Sequence, residues 1–541
     1  MKLPLTVGAL LLGAIAFSGA HAGDPPGQEV PTLVVMISVD QLRGDLLERY
    51  SDAFDGGFRR LLDEGYRFTG ASHAHAVTHT AAGHATLATG VFPSRSGIVA
   101  NNWSQRVGVT WVPMYCVEDT ASPIVGVEGL TGMSPRNLLR SGLADWVLAA
   151  NSEARVVSIA GKDRAAITMA GQSRGEVYWI VPQLGRFVTS RYYRDSYPEW
   201  IERFNAEAMP RILADSVWVQ SVPEDFRSLA RPDSAAYEGD GVHTAFPHDA
   251  SVEVPRTDTA AAGGSADAAS LDWMTFNTWA LAQPRIDRAV NELALRAIDE
   301  LRLGTRGPVD FLALSFSAAD HVGHAYGPLS QEQLDNLVRL DRELGRLFEH
   351  LDERVGPGRW VAGLSGDHGV QTMPEYVASE GGEATRVAPR ERQAAMSEAL
   401  REAVGDGGRP EELAELLARL IEERGLVAKA YTIRDLTVGE AADSFAALQR
   451  NSYYPGRATG WLTRFGVEFR FGYGELVHEP TGTTHGSPYW YDRHVPLILF
   501  GGDVRAGTSE VAAYTVDLAP TLAALTGIRT PDDLDGRVIY R

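Results

Sequence analysis

Cysteine is almost missing from this chain of 541 residues: a lone Cys116 excludes an intramolecular disulfide framework, so packing, with metals as the other available cross-link, must hold the fold. Positive charge is also in deficit. Fifty Lys and Arg stand against seventy Asp and Glu, a formal net charge of −20. That balance argues against nucleic acid as a partner, because a phosphate backbone is bound through surplus cations. An anionic small substrate would need a local positive site to overcome the global repulsion. Beyond the first 22 residues no apolar run reaches the roughly 20 residues a membrane span needs. Internal repeats are lacking too, and the one low-complexity stretch, 259–270 (TAAAGGSADAAS), reads as a surface loop.

The amino terminus, MKLPLTVGALLLGAIAFSGAHA, carries Lys2, an apolar run and then Ala20-His21-Ala22, the pattern of a cleaved secretory signal. Residues 1–22 are therefore expected to be removed and 23–541 to be exported, to the periplasm or beyond. A membrane anchor is the alternative, for which the run is short. The length allows two domains or one large one with insertions. Short runs rich in Val, Ile, Leu and Phe predict buried strands at Leu33–Val39, Arg155–Ala160, Phe311–Phe316, Trp360–Leu364 and Val495–Phe500. Between them, Leu337, Leu340, Leu344, Leu347, Phe348 and Leu351 form a helical stripe that ends at Gly356-Pro357. The alternation predicts an α/β fold with a mostly parallel central sheet sandwiched by helices. Two segments break the rhythm, at about 175–290 and 373–480, and are expected to be cap insertions in a single catalytic domain.

The strand ends carry the chemistry. LVVMISVD ends in Asp40, DFLALSFSAADHVGH runs into Asp320 and His324, and VAGLSGDHG ends in Asp367 and His368. Ligands of open α/β sheets gather outside the carboxyl ends of strands, so these groups are expected to converge. Asp320 and His324, four apart, share one face of a helical turn. His485, in TGTTHGSPYWYDRH, is a further candidate imidazole. One aspartate at a strand end is ordinarily a cap, but three carboxylates and three histidines form a mixed O/N set suited to two Zn²⁺-like ions, with other divalent metals accepted by similar ligands. Two such ions about 3.5–4 Å apart clamp both oxygens of an in-line displacement.

The stretch THTAAGHATLATG (78–90) then predicts a helix whose start presents Thr80 to the metals and free backbone N–H groups to an anion. A hydroxyl on a metal loses its proton readily, which would make Thr80 the nucleophile. Thr78 or Thr80 could instead simply cap the helix. His73, His75, His79 and His84 crowd this region, yet the ligand set is complete without them. In SIAGKDRAAI, Lys162 and Arg164 follow another strand, and in extended geometry residues at i and i+2 point the same way. Two cations aimed at one spot would hold the terminal oxygens of a phosphoryl dianion. Asn101, in GIVANNW, is a third candidate donor, with Asn102 competing for the place.

With SVDQLRGD, THTAAGHATLATGVFPSRSGIVANNW, GKDR, FSAADHVGHAYGP, SGDHGV, GTTHGSPYWYDRHVPLILFGG and DLAPTLAALTGI, the chain resembles the alkaline phosphatase superfamily over nearly all of residues 30–535. The resemblance implies two zinc ions per chain. Asp320, His324 and His485 would hold one; Asp40, Asp367, His368 and Thr80 would hold the other. It implies a covalent phospho-threonine on Thr80, hydrolysed by water. Asn101, Lys162 and Arg164 look like the phosphate grip of the periplasmic phosphate monoesterases with a threonine nucleophile. Sulfatases of the superfamily mature a Cys or Ser at a position where VFPSR has Val91, which excludes that activity. A phosphodiesterase or nucleotide pyrophosphatase with the same metal site is the alternative, because the aromatic segment YWIVPQLGRFVTSRYY could form a nucleoside wall. A metal-stabilised binding protein without catalysis would show a damaged nucleophile or ligand set, and none is visible. The expected substrates are small phosphorylated molecules. Nothing in the chain fixes an oligomeric state, and a monomer is the default expectation.

Overall fold

The computed structural model describes residues 30–255, 273–405 and 408–541. The expected signal segment and the whole of the low-complexity stretch lie outside the described residues. One nine-stranded sheet organises the molecule. Its strands in chain order are β1 (Leu33–Val39), β2 (Tyr66–Phe68), β3 (Val156–Ala160), β4 (Glu176–Val181), β5 (Arg186–Val188), β6 (Asp310–Phe316), β7 (Trp360–Ser365), β8 (Leu497–Gly501) and β9 (Gly507–Ser509). Their spatial order is β9-β2-β8-β7-β1-β6-β3-β4-β5. The central strands β7, β1, β6, β3 and β4 pair in parallel. β8 runs antiparallel to β7 and to β2, and β5 antiparallel to β4.

Every residue of β1 is buried, as an apolar strand covered on both faces must be. Its side chains alternate between two cores. Leu33, Val35, Ile37 and Val39 pack with the helices α1 (Gly57–Glu64), α4 (Arg285–Leu301) and α6 (Gln331–Arg354), while Val34 and Met36 pack with Leu87 and α7 (Leu518–Leu525) on the other face. α6 starts on a Ser330 hydroxyl that accepts the Gln333 N–H, and it buries the stripe Leu337, Leu340, Leu344, Leu347, Phe348 and Leu351 read from the sequence.

The two irregular segments differ. Residues 373–480 build a lobe with its own small core of Met396, Leu417, Ile421, Leu462 and Val467, together with two short two-stranded sheets. The segment expected to be an insertion from about residue 175 begins with β4 and β5, two strands of the main sheet. Tyr178, Trp179 and Phe187 are buried there as core rather than displayed on a cap. An aromatic strand buried on both faces has no alternating pattern, so it reads like an irregular segment.

Candidate active site

Because β1, β6, β7 and β3 are parallel, their carboxyl ends fall on one edge, and the next residues of each strand meet there. Asp40 follows β1 directly. Helix α5 (Ala318–Tyr326), entered two residues after β6, carries Asp320 and His324 on one face, with His324 Nε2 3.1 Å from Asp320 Oδ1. Asp367 and His368 follow β7, and His368 Nε2 lies 3.4 Å from Asp40 Oδ1 and 3.5 Å from Asp367 Oδ2. His485 comes from the loop before β8, with Nε2 3.7 Å from Asp320 Oδ1 and its ring stacked on His368 at 3.5 Å. Two sets of ligand atoms, Asp320/His324/His485 and Asp40/Asp320/His368, each gather within 4.8 Å.

The residues fit divalent cations on three counts. First, each imidazole turns Nδ1 to a backbone carbonyl: His324 to Thr483 O at 2.7 Å, His485 to Thr78 O at 2.6 Å and His368 to Gly369 O at 2.9 Å. Donation at Nδ1 leaves the Nε2 lone pair facing the carboxylates, the arrangement of a metal-ligating histidine. Second, Asp40 Oδ1 is completely buried and makes no hydrogen bond. Third, the carboxylates are crowded. Burial and the neighbouring Asp40 push the Asp367 carboxyl up to about 7. Burial also holds His368 and His485 well below the ordinary histidine range, which keeps them neutral. For Asp320, burial is outweighed by Lys162, His324 and His485, and its carboxyl lies well below the usual value.

Lys162 is the cation the chain itself supplies. Its Nζ lies 2.6 Å from Asp40 Oδ2 and 2.5 Å from Asp320 Oδ2, so it bridges the two strand ends. Burial works against its charge, but Asp320 and Asp40 raise its pKa above the usual lysine value. The expected extended pairing with Arg164 is not what forms. Lys162 has extended backbone at the start of α3 (Asp163–Met169), and Arg164 already lies in the helix. Arg164 reaches instead toward Tyr115, whose hydroxyl donates to Asp163 at 2.6 Å, and its buried Nε has no partner. The two cations nevertheless line one cavity of about 450 Å³, shared with Tyr115, Met133, Trp179 and His321.

Helix α2 (Thr80–Thr89) begins at Thr80, whose Oγ1 is 3.4 Å from His368 Nε2. Small residues let this helix lie directly on the segment after β7, since a Cβ on Gly83 would overlap the Asp367 carbonyl. Its start is less open than the sequence implies: the Ala81 N–H donates to Asn101 Oδ1 at 2.8 Å. That bond settles which asparagine adjoins Thr80, because Asn102 is exposed at the start of the hairpin strand Asn102–Val107. Thr78 has a different task, its hydroxyl donating to Ser487 O at 3.0 Å. Of the nearby histidines, His84 is occupied at both nitrogens, by Thr80 O and Ser315 Oγ, and it lies 3.1 Å from Asp367. His73 bonds His75 and Gly366 O. Sequence reasoning missed His84 as a brace for Asp367, although its i+4 spacing from Thr80 was a usable signal. It also missed Gln41 and Tyr115, for which no local pattern exists.

A doubly covered parallel sheet that delivers carboxylates, imidazoles and a threonine to one edge is the architecture of the alkaline phosphatase superfamily, in its threonine-nucleophile branch. Residues 34–459 match the family model described as type I phosphodiesterase / nucleotide pyrophosphatase, and the chain belongs to that family. It is 31% identical to a Myroides odoratus protein named calcium-transporting ATPase, with 93% of each chain covered. It is 28% identical to the alkaline phosphatase PafA of Elizabethkingia meningoseptica over 99% of both chains. The crystal structure of wild-type PafA superposes with a TM-score of 0.80 at 26% identity, covering 94% of this chain and 98% of that one. Among the described residues no helix is long and apolar enough to cross a membrane.

Proposed function

We propose that the chain is a metal-dependent phosphate monoester hydrolase, an alkaline phosphatase, working through a phospho-threonine on Thr80. Two divalent cations, with zinc the best match to the O/N donor set, would sit with Asp320, His324 and His485 and with Asp40, Asp367, His368 and Thr80. When bound they supply Lewis-acid charge that favours the ionised hydroxyl and neutralises the carboxylate crowd. Thr80 Oγ then attacks phosphorus, the bond to the leaving-group oxygen breaks, and water hydrolyses the phospho-threonine to return the free hydroxyl and phosphate. Asn101 offers its side-chain N–H₂ beside Thr80, its Oδ1 being committed to Ala81. Lys162 and Arg164 grip terminal phosphoryl oxygens.

The shared cavity of Lys162 and Arg164 is the observation that carries the choice of monoester. A dianion with three terminal oxygens uses both cations, whereas a diester monoanion offers only two oxygens and brings a second substituent. The relatives named alkaline phosphatases support the same choice, and the terminal phosphoryl of ATP, also singly substituted, falls within this chemistry. Export to the periplasm accords with the amino-terminal segment. The test is kcat/KM for an aryl phosphate monoester and the matching methyl aryl diester, in wild type and in Lys162→Ala/Arg164→Ala. Wild type should prefer the monoester strongly, and the double variant should lose that preference with diester turnover much less affected. Equal rates on both substrates in wild type would overturn the monoesterase.

A further inference from the structure

Gln41, the residue after Asp40, is buried and holds φ at 65°, one of few positive values at a non-glycine among the described residues. A left-handed backbone at a residue other than Gly, Asn or Asp is strained and persists only where its surroundings enforce it. What enforces it here is a pair of bonds to opposite halves of the site. The backbone N–H donates to Asp367 Oδ1 at 3.0 Å, and the side-chain Nε2 donates to Asp320 Oδ1 at 2.8 Å. A carboxylate only accepts, so the amide nitrogen must be the atom facing Asp320. The other side-chain atom, Oε1, is buried without a hydrogen-bond partner and lies against Gly323, where a Cβ would overlap it. Gly323 sits three residues after Asp320 on α5, so the helix that supplies one set of ligands has a gap at the place this side chain fills.

We propose that Gln41 is a positioning residue that ties the two cation-binding halves of the site together, its amide aiming the Asp320 carboxylate and its backbone N–H the Asp367 carboxylate. A carboxylate oxygen has two lone-pair directions. With Gln41 taking one on Asp320 Oδ1, the other is left for the side of His324 Nε2, 3.1 Å away. Partners of this kind commonly change metal affinity by about 10- to 100-fold when removed. The inference rests on the two-cation reading of the site, and its test separates the two.

The experiment follows zinc release from the reconstituted holoenzyme into a chromogenic chelator. Asp320→Asn and Asp367→Asn proteins identify which phase belongs to which set. Gln41→Met keeps the length of the side chain and removes its donor. It should speed release from the Asp320/His324/His485 set about 10-fold while leaving the other phase nearly unchanged. Gln41→Gly also lacks the amide but relieves the backbone and keeps the bond to Asp367, so it should show the same selective loss with a melting temperature no lower than that of the Met variant. Equal acceleration of both phases, or wild-type release from either variant, would overturn the positioning role. A wild-type holoenzyme that releases a single ion per chain would instead overturn the two-cation reading, and an Asp320→Asn protein that holds both ions as wild type does would overturn the place of Asp320 among the ligands, whatever Gln41 does.

Discussion

At the scale of single residues, the site separates groups that the sequence crowds together. Thr78 and Thr80 are both buried hydroxyls, but Thr78 donates to the Ser487 carbonyl while Thr80 faces His368. The first holds the loop that carries His485, and the second is the proposed nucleophile. Thr80→Ala is therefore expected to abolish a phospho-enzyme trapped by acid quench from labelled substrate, and Thr78→Ala to retain one at reduced turnover. A trapped phosphoryl group in Thr80→Ala would move the nucleophile elsewhere. Lys162 shows what residue-level reading could and could not see. It is one of only three lysines in the chain, with Lys2 and Lys429, in a sequence that otherwise uses arginine. Its compact point charge, unlike a planar fork, fits between two carboxylates. Its partners were not legible, because Asp40 and Asp320 lie 122 and 158 positions away and only the sheet brings them within 2.6 Å.

At the scale of elements, strands were readable where both faces are buried and the run is aliphatic. Leu33–Val39 was placed to the residue, and β6 and β7 were each extended by one residue at one end. The aromatic β4, the three-residue β2, β5 and β9, and the antiparallel sense of β8 were not readable, since none of these has a periodic signal of its own. Caps that matter are also tertiary. The start of α5, which carries Asp320 and His324, is held by Asp287 of α4, whose Oδ1 accepts the Ser317 N–H at 2.6 Å and the Ala318 N–H at 3.0 Å. Burial outweighs those bonds and pushes the Asp287 carboxyl up to about 7. A folded-state pKa above the unfolded value near 3.9 gives stability that is full below about pH 4 and is lost as pH rises through about 7. Asp287→Asn keeps an acceptor for both N–H groups and has no charge to bury. It is expected to melt higher than wild type at pH 8, by an amount worth at most about 4 kcal/mol, with the difference shrinking as pH falls toward 4. Melting curves at pH 4.5 and pH 8 check this. A variant equally destabilised at both would show that α5 needs the carboxylate at its start.

At the scale of the whole molecule, the proposed ligands span positions 40 to 485 and come from three separate strand ends, the start of α2 and a late loop. Bound cations would thus cross-link segments that the chain otherwise joins only through the sheet, in a protein that has no disulfide to do so. Without them three buried carboxylates share the one ammonium of Lys162 and a few imidazoles, and burial of unpaired charge is costly. The lobe at 373–480 is differently placed. Its core of Met396, Leu417, Ile421, Leu462 and Val467 is built from its own helices and strands and includes none of these ligands. Chelation should therefore act unevenly. A ligand present at 1,000 times its dissociation constant contributes about 4 kcal/mol per site, so the chelated protein should melt well below the zinc-loaded one. By hydrogen exchange, the loss of amide protection should concentrate at 40–45, 317–326, 366–371 and 481–487, while the lobe keeps its protection. Readdition of zinc should restore the strand-end protection. If instead the lobe opened together with the strand ends, or if chelation left the protection at 317–326 intact, the cations would not be the cross-link that this arrangement of carboxylates requires.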